Sequence, residues 1–148
     1  MHAMNRFDAL TGAPANTRLL TGAVAALLGL TLVSAVQIVA GDVSWTTQVG
    51  VLAPVDLAGV FAAMTLGGHV ARQRRFRWLA TLLQLVVGVC TLAAYLLFDT
   101  GMHDAMRAPA TLLRLNALPV LLGLGLALLG AVVGEQLALQ RATGTPST

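Results

Sequence analysis

The chain has 148 residues, of which 57% are hydrophobic and only 10% charged, with a mean hydropathy of +0.80. An ordinary soluble domain carries roughly 25% charged residues, and a fold of this size leaves about a third of its chain surface in water, so a water-soluble domain is excluded and a membrane protein is expected. The net charge of +3 comes from nine basic residues, all arginine, against six acidic ones, too few to read the basic pI as a nucleic-acid footprint.

Residues 1–18 form a tail carrying Arg6 and Arg18. The first apolar run is Leu19 to Ala40, LLTGAVAALLGLTLVSAVQIVA. About 20 apolar residues at ~1.5 Å rise each cross ~30 Å of hydrocarbon, so this run is expected to be a membrane helix. It exceeds the ~7–15 residue core of a cleaved signal peptide. Gly22, Ala26 and Gly29 lie on one face of it, and Gln37 is expected to hydrogen-bond to a neighbouring helix.

After the loop GDVSWTTQ comes a second span, about 49–70, with Asp56 inside it. Two readings of Asp56 stay open. An ionisable group at membrane depth points to a proton or cation path. Alternatively, Pro54 marks the first helical position, and Asp56 then falls in the first turn, where the helix dipole favours a carboxylate. Gly59, Ala63 and Gly67 continue that face as a small-residue stripe.

The turn that follows holds Arg72, Arg74, Arg75 and Arg77, beside His69. A loop this short, tethered at both ends to the bilayer, has little freedom to grip a duplex, so nucleic-acid binding is not expected. The positive-inside rule accounts for the arginines instead. With both termini cytoplasmic, seven arginines lie inside and two, Arg107 and Arg114, outside. The four turn arginines are then expected to meet anionic lipid headgroups, at about 1 kcal/mol each. Phe76 and Trp78 are expected to anchor the inner interface, and Trp45 and Tyr95 the outer one.

The third span is 78–98, WLATLLQLVVGVCTLAAYLLF. Gln84 is expected to make an interhelical hydrogen bond, and Cys90, the sole cysteine, to be a small buried hydrophobe. It rules out an intrachain disulfide. The longest loop then carries Met102, His103, Asp104 and Met106, soft and imidazole ligands that copper favours. One histidine with two methionines does not make a metal centre, and no metal or cofactor is expected.

The fourth span, about 117–139, carries Gly123, Ala127, Gly130 and Gly134 along one face, the last two as G-x-x-x-G. Such residues let helix backbones approach closely, either within the chain or between two copies. Glu135, near the inner end, is expected to snorkel or to pair with an inner arginine. Residues 140–148 form a second cytoplasmic tail.

In lipid each backbone N–H and C=O must be paired within its own segment, so the spans should be helices; the alternating ten-residue segments of a barrel are absent. Short connections make antiparallel neighbours. The expected fold is all-α, an integral membrane up-down four-helix bundle forming one domain over 19–139. The arginine, alanine, glycine and leucine bias fits a bacterial source, and the plasma membrane is the expected location. No metalloprotease, nucleophile-elbow or phosphate-loop motif is present, so an enzyme is not expected. The leading expectation is an accessory or scaffolding subunit, joined to a second copy or another membrane protein through its helix faces. The alternative is a small transporter or channel-like oligomer using Asp56 as a proton- or cation-coupling site. Span count and length are shared by unrelated membrane proteins and carry no function by themselves.

Overall fold

Proline at position 54 decides where the second helix begins. It has no N–H to donate and its φ is pre-set for a helix, so it suits the first helical position. Its ring also pushes the preceding residue into extended backbone, and Ala53 has φ −105° and ψ 99°. The helix therefore starts at Pro54 and not near residue 49. Residues 50–52 instead pair with 45–47 as a short antiparallel hairpin, Trp45 opposite Leu52 and Thr47 opposite Gly50. The expected second span, 49–70, is corrected to Pro54–Ala71.

The computed structural model describes residues 14–40, 45–47, 50–98 and 109–143. Its elements are α1 (Ala15–Ala40), β1 (Trp45–Thr47), β2 (Gly50–Leu52), α2 (Pro54–Ala71), α3 (Arg75–Phe98) and α4 (Pro109–Thr143). Each helix contains a stretch long and apolar enough to cross a membrane: Ala15–Val36, Pro54–Ala71, Arg75–Ala94 and Asn116–Arg141. Large aliphatic side chains point outward all around the bundle, among them Leu20, Leu28, Leu32, Val89, Leu121 and Leu129. A water-soluble monomer does not expose apolar surface on that scale, so this is a multi-pass, lipid-embedded helical bundle. Helices apolar on every side are what such a bundle requires.

Hydroxyl groups inside the apolar helices are satisfied locally. Thr21, Thr31, Ser34, Thr65, Thr81 and Thr91 each donate to the carbonyl four residues earlier, at 2.7–3.1 Å, which removes the cost of an unpaired donor in hydrocarbon.

The helices alternate in direction. α2 ends at Arg72, in left-handed backbone at φ 51°, whose N–H returns to Gly68 O at 3.0 Å, an αL termination. Residues 72–74 then turn the chain into α3. Gln73 Nε2 donates to Ala15 O at 2.7 Å, tying the start of α1 to this turn. The last turn of α4 holds Arg141, and the hairpin lies at the opposite end of α2.

Packing order differs from chain order. α2 is wedged between α1 and α4, its two principal neighbours; α3 rests on α4 and touches α1 lightly. The expectation that each short connection joins neighbours holds for α1 with α2 and for α3 with α4. It fails for α2 and α3, which meet sparsely despite their three-residue turn, while α1 and α4 do not touch among the described residues. The reason is side-chain size. Two faces of α2 carry small residues and accept α1 and α4 at close range, leaving α3 to the remaining side.

The core sits toward the arginine end, where Met64, Ala71, Phe76, Ala80, Ala127 and Ala131 are buried. Phe76 is among the largest fully buried side chains, with Met64, and a Cβ at Gly67 would touch its ring. The expectation that Phe76 anchors the interface is therefore corrected: the ring plugs the space that Gly67 leaves open. Trp78, two residues on, is 81% exposed.

Candidate functional site: a polar cleft among the four helices

Away from this core the bundle opens into a cleft of about 410 Å³ lined by all four helices. Its polar lining comes from Ser34 on α1, Asp56 on α2, Gln84 and Thr91 on α3, and Asn116 on α4. The cleft exists because α2 and α3 part after their turn, and because glycine at 88 and 123 leaves its walls without side chains.

Asp56 occupies the first turn of α2, where unpaired backbone N–H groups give a partial positive charge. No side chain caps that helix at Ala53. Asp56 thus falls in the first turn, as the Pro54 reading expects, and its exposed side chain borders the cleft.

Gln84 does not make the interhelical hydrogen bond expected of it through its oxygen. Oε1 is buried and has no partner. A Cβ at Gly123 would come within 3.1 Å of Nε2, so the amide packs against the glycine of α4. A buried carbonyl-type acceptor left unmatched costs about 1–3 kcal/mol.

A second polar feature stands at the arginine end. Arg77 Nε donates to Glu135 Oε2 at 2.9 Å, across α3 and α4. Glu135 is 6% exposed, the one buried charged residue among the described residues. Thr81 on the next turn donates to Arg77 O, which satisfies its hydroxyl within α3. Arg74 and Arg75 are exposed in and beside the turn, with Arg72 at the end of α2.

The small residues lie between helices. On the α1–α2 seam, a Cβ at Gly29 would meet Ala63, one at Gly59 would meet Val33, and one at Gly67 would meet Gly22 O and the Ala26 methyl. On the α2–α4 seam, Gly130 abuts Phe61 O and Met64, and Gly134 abuts the backbone of Thr65 and His69. Ala127 is fully buried in the core. Gly68 is the residue that sequence reasoning missed here. It faces Ala131 of α4, and the adjacent Gly67–Gly68 pair, about 100° apart on the helix, was the signal that α2 has two close-packed faces.

Ser34, Thr91, Gly88, Asn116 and Pro119 were also missed as one constellation. Asn116 and Pro119 lie inside α4, which begins at Pro109, eight residues before the expected span. An Asn three residues before an intrahelical Pro was the available signal, since proline removes a helix hydrogen bond and such positions line cavities in membrane proteins.

Cys90 is exposed on α3, a correction to the expected burial: α3 packs with α4 along one side and presents Cys90 on another. The side chains of Gln37, Trp45 and Tyr95, and the Met102, His103, Asp104 and Met106 segment, lie outside the described residues. Among the described residues no three His, Cys, Asp or Glu gather into a metal-binding group. The chain matches no protein-family model, no curated protein and no solved structure.

Proposed function

We propose that this is a small plasma-membrane protein that binds a polar solute in its cleft, with Asp56 as the coupling charge, in the manner of a small transporter or channel-like oligomer. One observation carries the reading. A carboxylate and a carboxamide with an unmatched oxygen line the same cleft. Ionisable groups at membrane depth face water-filled paths or ligands, and helix termini and broken helices supply such sites.

The small-residue faces that an accessory subunit would offer to a partner are occupied within the chain. What remains outward is mainly large aliphatic surface, which lipid covers as well as a protein does. That favours the cleft over a scaffolding role. The positive-inside rule places both tails and the Arg72–Arg77 turn in the cytoplasm, the turn arginines against anionic headgroups, and the cleft toward the outer leaflet. Binding and coupling need no bond-making chemistry, and the proposal includes none.

The test is complementation of a deletion strain by Asp56→Asn at matched abundance. An amide keeps the size and an acceptor but removes the charge. Loss of complementation with normal membrane levels is expected. Full complementation would sink the coupling role.

A further inference from the structure

The four arginines at the α2–α3 turn are alike in sequence, and the fold sorts them. Arg77 is held by Glu135. Arg72 ends α2 and has a further interaction within the fold. Arg74 and Arg75 are exposed, and neither guanidinium has a partner among the described residues. We infer that these two hold the phosphate of one anionic phospholipid, whose acyl chain lies along the outer face of α3. The inference rests on the headgroup reading above and narrows it to a site on one helix; it is independent of the cleft.

Helix periodicity places the rest of the site. Arg75, Trp78, Leu82, Leu85 and Val89 follow one another along one side of α3, and all of them are exposed. Phe76 and Ala80, buried in the core, lie on the other side of the same helix. The outer face stays open because α3 rests on α4 and meets α1 and α2 only sparsely. From Trp78 to Val89 the stripe is about 16 Å long at ~1.5 Å per residue, the depth of one leaflet in a ~30 Å hydrocarbon core.

Charge decides which lipid fits. The acidic side chains among the described residues are Asp56, in the first turn of α2 at the far end, and Glu135, already paired with Arg77. Neither serves Arg74 or Arg75. A guanidinium presents its N–H donors in a planar fork that matches phosphate oxygens. A zwitterionic headgroup brings its own cation to that pair, and an anionic one does not. Trp78 lies one turn after Arg75, where an amphipathic indole suits the headgroup level. Arg141 supplies the comparison at the same end of the bundle. It is exposed in the last turn of α4, near exposed Leu137 and Leu139, without a second arginine or an aromatic next to it.

The experiment counts lipids on the full chain by native mass spectrometry from a mild nonionic detergent. The probes are phosphatidylglycerol and phosphatidylcholine with identical acyl chains. One phosphatidylglycerol per chain should bind roughly tenfold more tightly than phosphatidylcholine, or better. Arg74→Gln with Arg75→Gln should lower its affinity roughly 30-fold, at about fivefold per arginine near an anionic headgroup. Trp78→Ala should weaken it several-fold, and Arg141→Gln should leave it unchanged. Glycerol 1-phosphate should not compete. The lipid preference of the parent chain is read independently of any variant. Equal binding of the two lipids overturns the site and the headgroup reading together. A loss on Arg141→Gln as large as that of the double variant leaves only diffuse attraction at the arginine end, and overturns the site alone. Displacement by glycerol 1-phosphate would mean an anion site that does not use the α3 face. A lipid-free dimer that dissociates on Leu82→Ala with Val89→Ala would give that face to a second copy. Either result overturns the assignment, and complementation by Asp56→Asn decides the coupling role separately.

Discussion

Arg77 and Glu135 are 58 positions apart in sequence and 2.9 Å apart in space, and their ion pair locks the first turn of α3 to the C-terminal part of α4. Glu135 is almost fully enclosed and Arg77 one-third exposed. The pair therefore acts as a clasp with a buried anion and a cation at the rim. Arg77→Ala leaves the buried carboxylate unmatched and should destabilise by about 1–3 kcal/mol. Adding Glu135→Leu should recover most of that loss, because a matched apolar pair avoids the desolvation cost. Thermal unfolding of the three variants in mild detergent checks this; a double variant as weak as the sum of the single ones refutes the clasp.

The α2–α4 seam should reject any side chain larger than hydrogen. At Gly134 a Cβ runs into the Thr65 carbonyl and the His69 amide, and both are backbone that cannot swing aside. Gly134→Leu, alone or with Gly130→Leu, should cost at least the ~1–3 kcal/mol of ordinary overpacking. Gly125 is the control, since nothing lies within 4 Å of a Cβ there. Gly125→Ala should stabilise by about 0.5–1 kcal/mol through helix propensity. Opposite signs at the two sites, read by denaturation in detergent, are the expected result; equal effects would mean that the seam is not tight.

Gln84 separates a ligand-binding role from a structural one. Its Oε1 makes no hydrogen bond in the fold, so Gln84→Leu, close to it in size, removes no hydrogen bond through that oxygen. Stability should be unchanged or higher, while complementation of a deletion strain should fall, the usual trade between function and stability at a site kept polar for use. A variant that loses stability and function together would assign Gln84 to the architecture.

Orientation is read from labelling. In a Cys90→Ala background, a cysteine at Gln73 should resist a membrane-impermeant thiol reagent applied to intact cells, and one at Ala105 should react. Reaction at Gln73 with protection at Ala105 reverses the topology and places the arginine turn outside.

Much of the architecture is legible in the chain itself. Four long apolar runs in 148 residues dictate four helices, because lipid forbids any other spanning backbone here. Proline at 54 contained the start of α2, since its missing N–H and its effect on Ala53 are local properties. Glu135 near an arginine-rich end was legible as a residue seeking a cation, because burial and charge set that need wherever the partner lies.

Only the tertiary structure decided which helices touch and what they enclose. Spacing marks a small-residue face but not its partner: the faces of α2 receive α1 and α4, and α3 is left apart although a three-residue turn joins it to α2. Ser34, Asp56, Gln84, Thr91 and Asn116 come from four separate helices, and no sequence period links them. Their meeting depends on the rotation of each helix about its axis, which for α1, α2 and α4 is constrained by close glycine contacts. The sequence determined a membrane bundle with a carboxylate at a helix start; the packing of α2 between α1 and α4 determined that this carboxylate lines a cleft.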